Sequence, residues 1–165
     1  MRNASRLRPF VNRGYIPAGE RRRMNFIVTS REQIERGIVT RHPYIVISVR
    51  DPGSRMPKLK QTAGLRGVLR LAFDDAEPAA SFRLPKNVRL MTEEDARSIA
   101  SFVHKHLDEV ALIVCHCEQG MSRSPAIAVA LAESLGANAD NIRAESQPNA
   151  YVYQLVLDAM RQTQA

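Results

Sequence analysis

Val110 to Cys115 is a run of six residues without a polar side chain, Val-Ala-Leu-Ile-Val-Cys, and it restricts the fold more than any other stretch of the chain. Six residues make a strand and are too few for a helix, and a strand apolar on both faces must be covered on both. The chain therefore needs a layer above and a layer below a sheet, and the neighbouring segments supply them. Tyr44 to Val49 is a second apolar run of strand length, closed by the turn signal Asp51-Pro52-Gly53. Phe26 to Val28 is a shorter strand candidate, and Val68 to Phe73 alternates, with Leu69, Leu71 and Phe73 on one face. Helical stretches lie between them. Ser30 caps a segment that stops at Gly37, and Thr92 caps a long helix in which Ala96, Ile99, Ala100, Val103 and Leu107 recur at helical spacing. Pro125 to Leu135 is stopped by Gly136, and Asn149 to Met160 carries the stripe Val152, Leu155, Val156, Ala159 and Met160. Strands separated by helices predict an α/β fold with a central, largely parallel sheet of four to five strands flanked by helices.

At 165 residues the chain is of one-domain size. Its 24 Lys and Arg against 17 Asp and Glu, net +7, invite a guess of nucleic acid or an anionic membrane as partner. The excess is local, because residues 1–23 hold seven Arg and one acid, Glu20, which leaves +1 for residues 24–165. A basic, disordered arm over 1–23 in front of a nearly neutral domain over 24–165 is the reading that follows, and nucleic acid is not an expected partner. Met24, where the pattern changes, could also be the true start. The arm has no apolar core for secretion, and Pro9, Gly14, Pro17 and Gly19 break a long amphipathic helix. Gly14 and Gly19 have the spacing of a nucleotide-binding loop, but Glu20 and Arg21 stand where that motif needs Lys and Ser or Thr. The longest apolar run, the seven residues Ala126 to Ala132, is far short of the roughly 18 needed to cross a bilayer, so no membrane is expected. Cys115 and Cys117 stand too close to staple distant segments, which points to a reducing compartment and a cytoplasmic protein. Residues Ala76 to Pro85 read as a surface loop.

In parallel α/β sheets ligands bind beyond the carboxyl ends of the strands, which directs attention to the segment after Cys115. It reads Cys115-His116-Cys117-Glu118-Gln119-Gly120-Met121-Ser122-Arg123-Ser124-Pro125. A tight turn entering a helix aims backbone N–H groups and the positive end of the helix dipole at one point, which makes an anion cradle. Gly120 lets the turn close, and Pro125 suits a first helical turn, where its missing donor costs nothing. A thiol held in such a cradle is favoured as its thiolate, which is the expectation for Cys117. Arg123, six positions on and expected at the rim, offers a planar fork matched to two phosphoryl oxygens.

The pattern His116-Cys117-x-x-Gly120-x-Ser122-Arg123-Ser124 resembles the signature of the protein tyrosine phosphatase superfamily in its dual-specificity form. The resemblance implies a dual-specificity-phosphatase-like fold and a reaction without cofactor or metal. Cys117 would attack phosphorus to form a phosphocysteine, while Arg123 and the amides of Glu118, Gln119, Gly120, Met121, Ser122 and Arg123 hold the phosphoryl oxygens. Ser124 corresponds to the hydroxyl that stabilises the departing thiolate, and His116 to the histidine that fixes the loop. The leaving oxygen also needs a proton. The family places an aspartate on a separate loop after a strand, and Leu71-Ala72-Phe73-Asp74-Asp75-Ala76 fits that place, with Asp75 the chosen acid and Asp74 in reserve. Glu118 disfavours polyanionic lipids, so the expected substrate is a phosphorylated protein, with phosphotyrosine and also phosphoserine or phosphothreonine as targets, or a small aryl phosphate.

Other readings stand beside this one. Sulfurtransferases and arsenate reductases also use Cys-x5-Arg loops, and a non-catalytic phosphate-binding module would keep the cradle without turnover. Cys115 reads as core, with oxidation alongside Cys117 as its alternative role. A zinc site from Cys115, His116 and Cys117 is set aside, because three consecutive strand residues do not face one tetrahedral centre. His104 and His106 are expected on the solvated side of their helix. The sequence is silent on oligomeric state.

Overall fold

The computed structural model describes residues 23–78 and 84–163. All but the last residue of the basic arm expected over 1–23 lies outside the described residues, as does the middle of the Ala76–Pro85 loop. The order of elements is β1 (Asn25–Ser30), α1 (Arg31–Arg36), β2 (Tyr44–Arg50), β3 (Leu65–Ala72), α2 (Glu93–His106), β4 (Leu112–Cys117), α3 (Arg123–Ser134), α4 (Asp140–Glu145) and α5 (Ala150–Thr163). The four strands form one sheet in the order β1-β4-β2-β3, and every pair is parallel. This is the α/β architecture that the alternation of apolar runs and helical periods demands.

Period-two alternation divides the buried strand residues between two layers. Ile45, Ile47, Val49, Ile113, Cys115 and Cys117 face the main core with α2, α3 and α5. Tyr44, Val46, Leu112 and Val114 face a smaller cluster closed by Ile34 of α1. Ten successive residues of α3, Arg123 to Ala132, are buried, so this helix lies inside the layer on β4 and β1 rather than on the surface. Each fully buried Ile, Val or Leu here contributes about 1.5–3 kcal/mol of hydrophobic stabilisation. Both capped helices begin where their polar residues require. The Ser30 side chain accepts from the Gln33 amide while Gln33 accepts from the Ser30 amide, and Thr92 and Asp95 make the same reciprocal box.

Two expectations need correction, and one element is new. The central strand is Leu112–Cys117 rather than 110–115, because β1 and β2 flank it as far as Ser30 beside Cys117 and Ser48 beside His116. The loop therefore starts after Cys117. His106 is buried, not solvated: it lies at i+7 from Ile99 on the inward stripe and meets the edge of the Phe102 ring, with ring centroids 4.9 Å apart. The absent side chain of Gly67 in β3 makes the room, since a Cβ there would stand 3.0 Å from His106 Nε2. His104 is half-buried and bonds the Ala100 carbonyl through Nδ1 at 2.7 Å. The short helix α4 also has no counterpart in the sequence reading. It buries no residue fully and carries no apolar period to betray it.

Candidate active site

β4 ends between β1 and β2 with Cys117 on the face that meets α3, and five residues, Glu118 to Ser122, separate it from Arg123 at the start of α3. The chain turns back on itself within that span. Gly120 makes the turn possible with φ 71°, and a Cβ on it would stand 2.7 Å from the Thr29 carbonyl carbon. No side chain fits there without moving β1. The same turn aims the Gly120 amide at Cys117, donating to Sγ at 3.2 Å, and the first turn of α3 brings Ser124 Oγ to 3.2 Å from the same sulfur. Two polar groups and a helix N-terminus thus converge on a thiol that is 2% exposed. Gln119 and Met121 are exposed, and Glu118 and Ser122 are half-buried.

Arg123 lies inside the protein rather than at the rim, 4% exposed. Nη1 donates to the Phe73 carbonyl at 2.7 Å, and Nη2 pairs with Asp51 Oδ1 at 2.7 Å. Nε is buried with no hydrogen-bond partner among the described residues. A guanidinium has five donors in one plane, so two anchored nitrogens fix the direction of the third. An unmet buried donor costs about 1–3 kcal/mol, and an anion above Sγ is the natural acceptor for it. Asp51, read from sequence only as part of a turn, is the partner that sequence reasoning missed here.

The two aspartates separate cleanly. Asp74 is tied to Arg89, whose carbonyl accepts from the Asp74 amide at 2.7 Å and whose amide donates to Asp74 Oδ2 at 2.8 Å. Asp75 is exposed and turned to the loop: its Oδ1 accepts from Ser122 Oγ at 2.8 Å and from Asn149 Nδ2 at 3.0 Å. Asn149 joins three parts of the site, because its amide donates to the Ser122 carbonyl at 3.2 Å and its Oδ1 accepts from the Val152 amide of α5 at 3.0 Å. An Asn ahead of a helix announces a cap in sequence. Its bond to a residue 74 positions away is not announced.

His116 points to the opposite face of the sheet from Cys117, beside α1, and is fully buried. Its Nδ1 donates to the Cys117 carbonyl over a long 3.4 Å, so in the neutral ring Nε2 accepts from Ser48 Oγ at 2.7 Å. Burial holds the ring neutral by lowering its pKa from the ordinary 6.5 to about 4. This gives a prediction for stability. The unfolded chain takes up a proton as pH falls through about 6.5, whereas the native ring resists until about 4. The contribution, about 3 kcal/mol, is complete above pH 6.5, drains away between 6.5 and 4, and does not change further below. Urea unfolding at pH 7, 5.5 and 4 is expected to show this loss in the wild type and a shallower one in His116→Gln.

Glu118 is occupied: Arg31 Nη1 meets its Oε1 at 2.7 Å and the Arg31 amide donates to its carbonyl at 3.1 Å. Cys115 is wholly buried in the main core, which pushes its thiol pKa far up, with the neighbouring Cys117 acting in the same direction. Among the described residues no group of three or more His, Cys, Asp and Glu is placed to hold a metal ion, and no helix is long and apolar enough to cross a membrane.

The chain resembles the dual-specificity and tyrosine phosphatases among solved structures. With the human tyrosine phosphatase-like serine/threonine/tyrosine-interacting protein it shares 18% identity over 74% of this chain and 79% of that one, with a TM-score of 0.48. A mouse putative dual specificity phosphatase complexed with zinc tungstate matches at 17% identity over 92% and 94%, TM-score 0.47. Human DUSP28 matches at 17% over 84% and 93%, TM-score 0.47. No family model and no curated protein matches the sequence. What the site can do is decided by its own residues: a thiol in an anion cradle, a fixed guanidinium whose Nε has no partner among the described residues, and a carboxylate across the loop.

Proposed function

We propose that the chain is a cysteine-dependent phosphoric monoester hydrolase. Within that class it is a protein phosphatase of the tyrosine or dual-specificity kind, acting on phosphotyrosine and also on phosphoserine or phosphothreonine, with residues 24–165 as its catalytic domain. One observation carries the reading: the cradle around Cys117 Sγ adjoins a buried arginine whose Nε has no acceptor among the described residues.

In this reading the Cys117 thiolate attacks phosphorus in line with the ester oxygen. The S–P bond forms as the P–O bond to the alcohol or phenol breaks, and Asp75 gives its proton to the departing oxygen. Arg123, through Nε and the second hydrogen on Nη2, and the amides of residues 118–123 hold the non-bridging oxygens while charge redistributes. Water then attacks the phosphocysteine, returning its proton to Asp75, and sulfur leaves as a thiolate that the Ser124 hydroxyl and the Gly120 amide receive. The Ser48–His116–Cys117 carbonyl chain holds the end of β4 in place and positions the nucleophile without touching substrate.

Asp75 is the acid because Asp74 is already bonded to the Arg89 backbone, whereas Asp75 faces the loop beside Ser122. Asp75→Asn is expected to lower kcat for an aryl phosphate about 10²-fold and to abolish the alkaline fall of the rate profile, with KM nearly unchanged. Asp74→Asn should keep that limb. Rates of both variants from pH 4.5 to 8 check the assignment, and the opposite pattern moves the role to Asp74.

A further inference from the structure

Near-neutrality of the domain hides a separation of charge. Residues 24–73 hold nine Lys and Arg against three acids, whereas residues 74–165 hold eight against thirteen. The two populations meet at the site itself, where Arg31 pairs with Glu118 and Asp51 with Arg123, and the charges left over stand on either face of the sheet. Arg50, at the end of β2, and Arg70, beside Ser48 in β3, share the α1 face of the sheet. Their guanidinium groups hold the following loop, Arg50 bonding the Ser54 carbonyl at 2.7 Å and Arg70 the Pro57 carbonyl at 3.3 Å. Lys58 is exposed in the same loop, and its side chain makes no hydrogen bond among the described residues. No side-chain ion pair engages Arg50, Lys58 or Arg70 among the described residues, and the one carboxylate that meets this stretch, Glu35, accepts from the Lys58 amide at 3.1 Å and is paired with Arg55. The opposite rim, on the α5 face, carries Asp75 and Glu77, exposed and without a cation partner among the described residues, with Glu77 accepting from the Ala150 amide at 2.8 Å.

Both rims adjoin the phosphate loop. Asp51, in the basic wall, is bonded to Arg123, and Asp75, in the acidic wall, is bonded to Ser122. An extended peptide advances about 3.3 Å per residue, so three residues on either side of a phosphorylated one span about 10 Å in each direction. Glu118 is no barrier on the basic side, since Arg31 already neutralises it. A small headgroup ringed by phosphates would want one sign of charge all round. Opposite signs on two sides suit a chain crossing the site.

We propose that this site selects phosphorylated peptides by charge, with an acidic flank lying over the Arg50–Lys58–Arg70 wall and a neutral or basic flank passing Asp75 and Glu77. The proposal rests on the phosphatase reading above and names its substrate class. Phosphotyrosine peptides of one length, with Glu, Ala or Lys on each flank in turn, test it against an aryl phosphate and a short-chain phosphoinositide. Peptides with one acidic flank are expected to exceed their lysine counterparts about tenfold in kcat/KM, an advantage that shrinks as salt rises from about 50 to 500 mM. Lys58→Glu is expected to remove most of it and Arg70→Gln part of it, each leaving aryl phosphate turnover within about twofold. Turnover independent of flank charge, or a preference untouched by Lys58→Glu, overturns the proposal alone. Faster hydrolysis of the phosphoinositide than of every peptide overturns it in favour of a lipid headgroup. Failure to hydrolyse any of these substrates overturns the phosphatase reading as well.

Discussion

Cys117→Ser is expected to lower turnover of an aryl phosphate by about four orders of magnitude or more, the loss that follows removal of a covalent nucleophile. The exchange is nearly isosteric in a site where the sulfur is 2% exposed, so folding should survive it. A serine hydroxyl is not ionised near neutrality, and the two groups that converge on Sγ, the Gly120 amide and the Ser124 hydroxyl, cannot supply the missing nucleophilicity. The cradle itself remains. Inorganic phosphate should therefore bind the variant within about threefold of the wild type, because uniform binding and transition-state chemistry are separable. Steady-state rates and calorimetric titration with phosphate check both halves. Activity within tenfold of wild type would sink the mechanism.

The second large effect belongs to Arg123→Lys. Charge is kept, but the planar fork is lost, and with it the simultaneous contacts to the Phe73 carbonyl and to Asp51 and the Nε donor that the proposed mechanism assigns to the phosphoryl group. A fall of about 10³-fold in kcat/KM is expected, in the range seen when an arginine that stabilises phosphoryl transfer is removed. In contrast to Cys117→Ser, phosphate affinity should fall together with rate, since the same donors serve ground and transition states. If phosphate bound Arg123→Lys as tightly as the wild type, the role given to Nε would be wrong. Thermal unfolding of the two variants separates lost chemistry from lost fold.

Much of this site is legible in one stretch of chain. Gly120, Ser124 and Arg123 stand at offsets that have no use in core packing, and the meeting of Gly120 and Ser124 on Cys117 needs only the turn of Glu118–Ser122 and the first turn of α3. Caps were equally readable, because Ser30 with Gln33 and Thr92 with Asp95 act within three residues. His106 was misread although its spacing from Ile99 and Val103 put it on the inward stripe. What admits it there is a missing side chain, Gly67, on a strand that sequence does not show to be its neighbour. Short α4 escaped for the opposite reason, since a helix with no buried face leaves no period.

The amino-acid sequence by itself determined the strands, the capped helices and the anion-binding turn around a cysteine, since each depends on residues a few positions apart whose backbone preferences and side-chain bonds act locally. Only the tertiary structure decided which distant groups complete the site. Ser48 meets His116 across 68 positions, Asp75 meets Ser122 across 47 and Asn149 meets Asp75 across 74. Asp51 reaches Arg123 in the same way. These contacts follow from the strand order β1-β4-β2-β3 and its register, which fix where the loops after β2 and β3 converge. Order and register are set by burial of the whole sheet between two layers, a cooperative property that no local stretch of sequence carries.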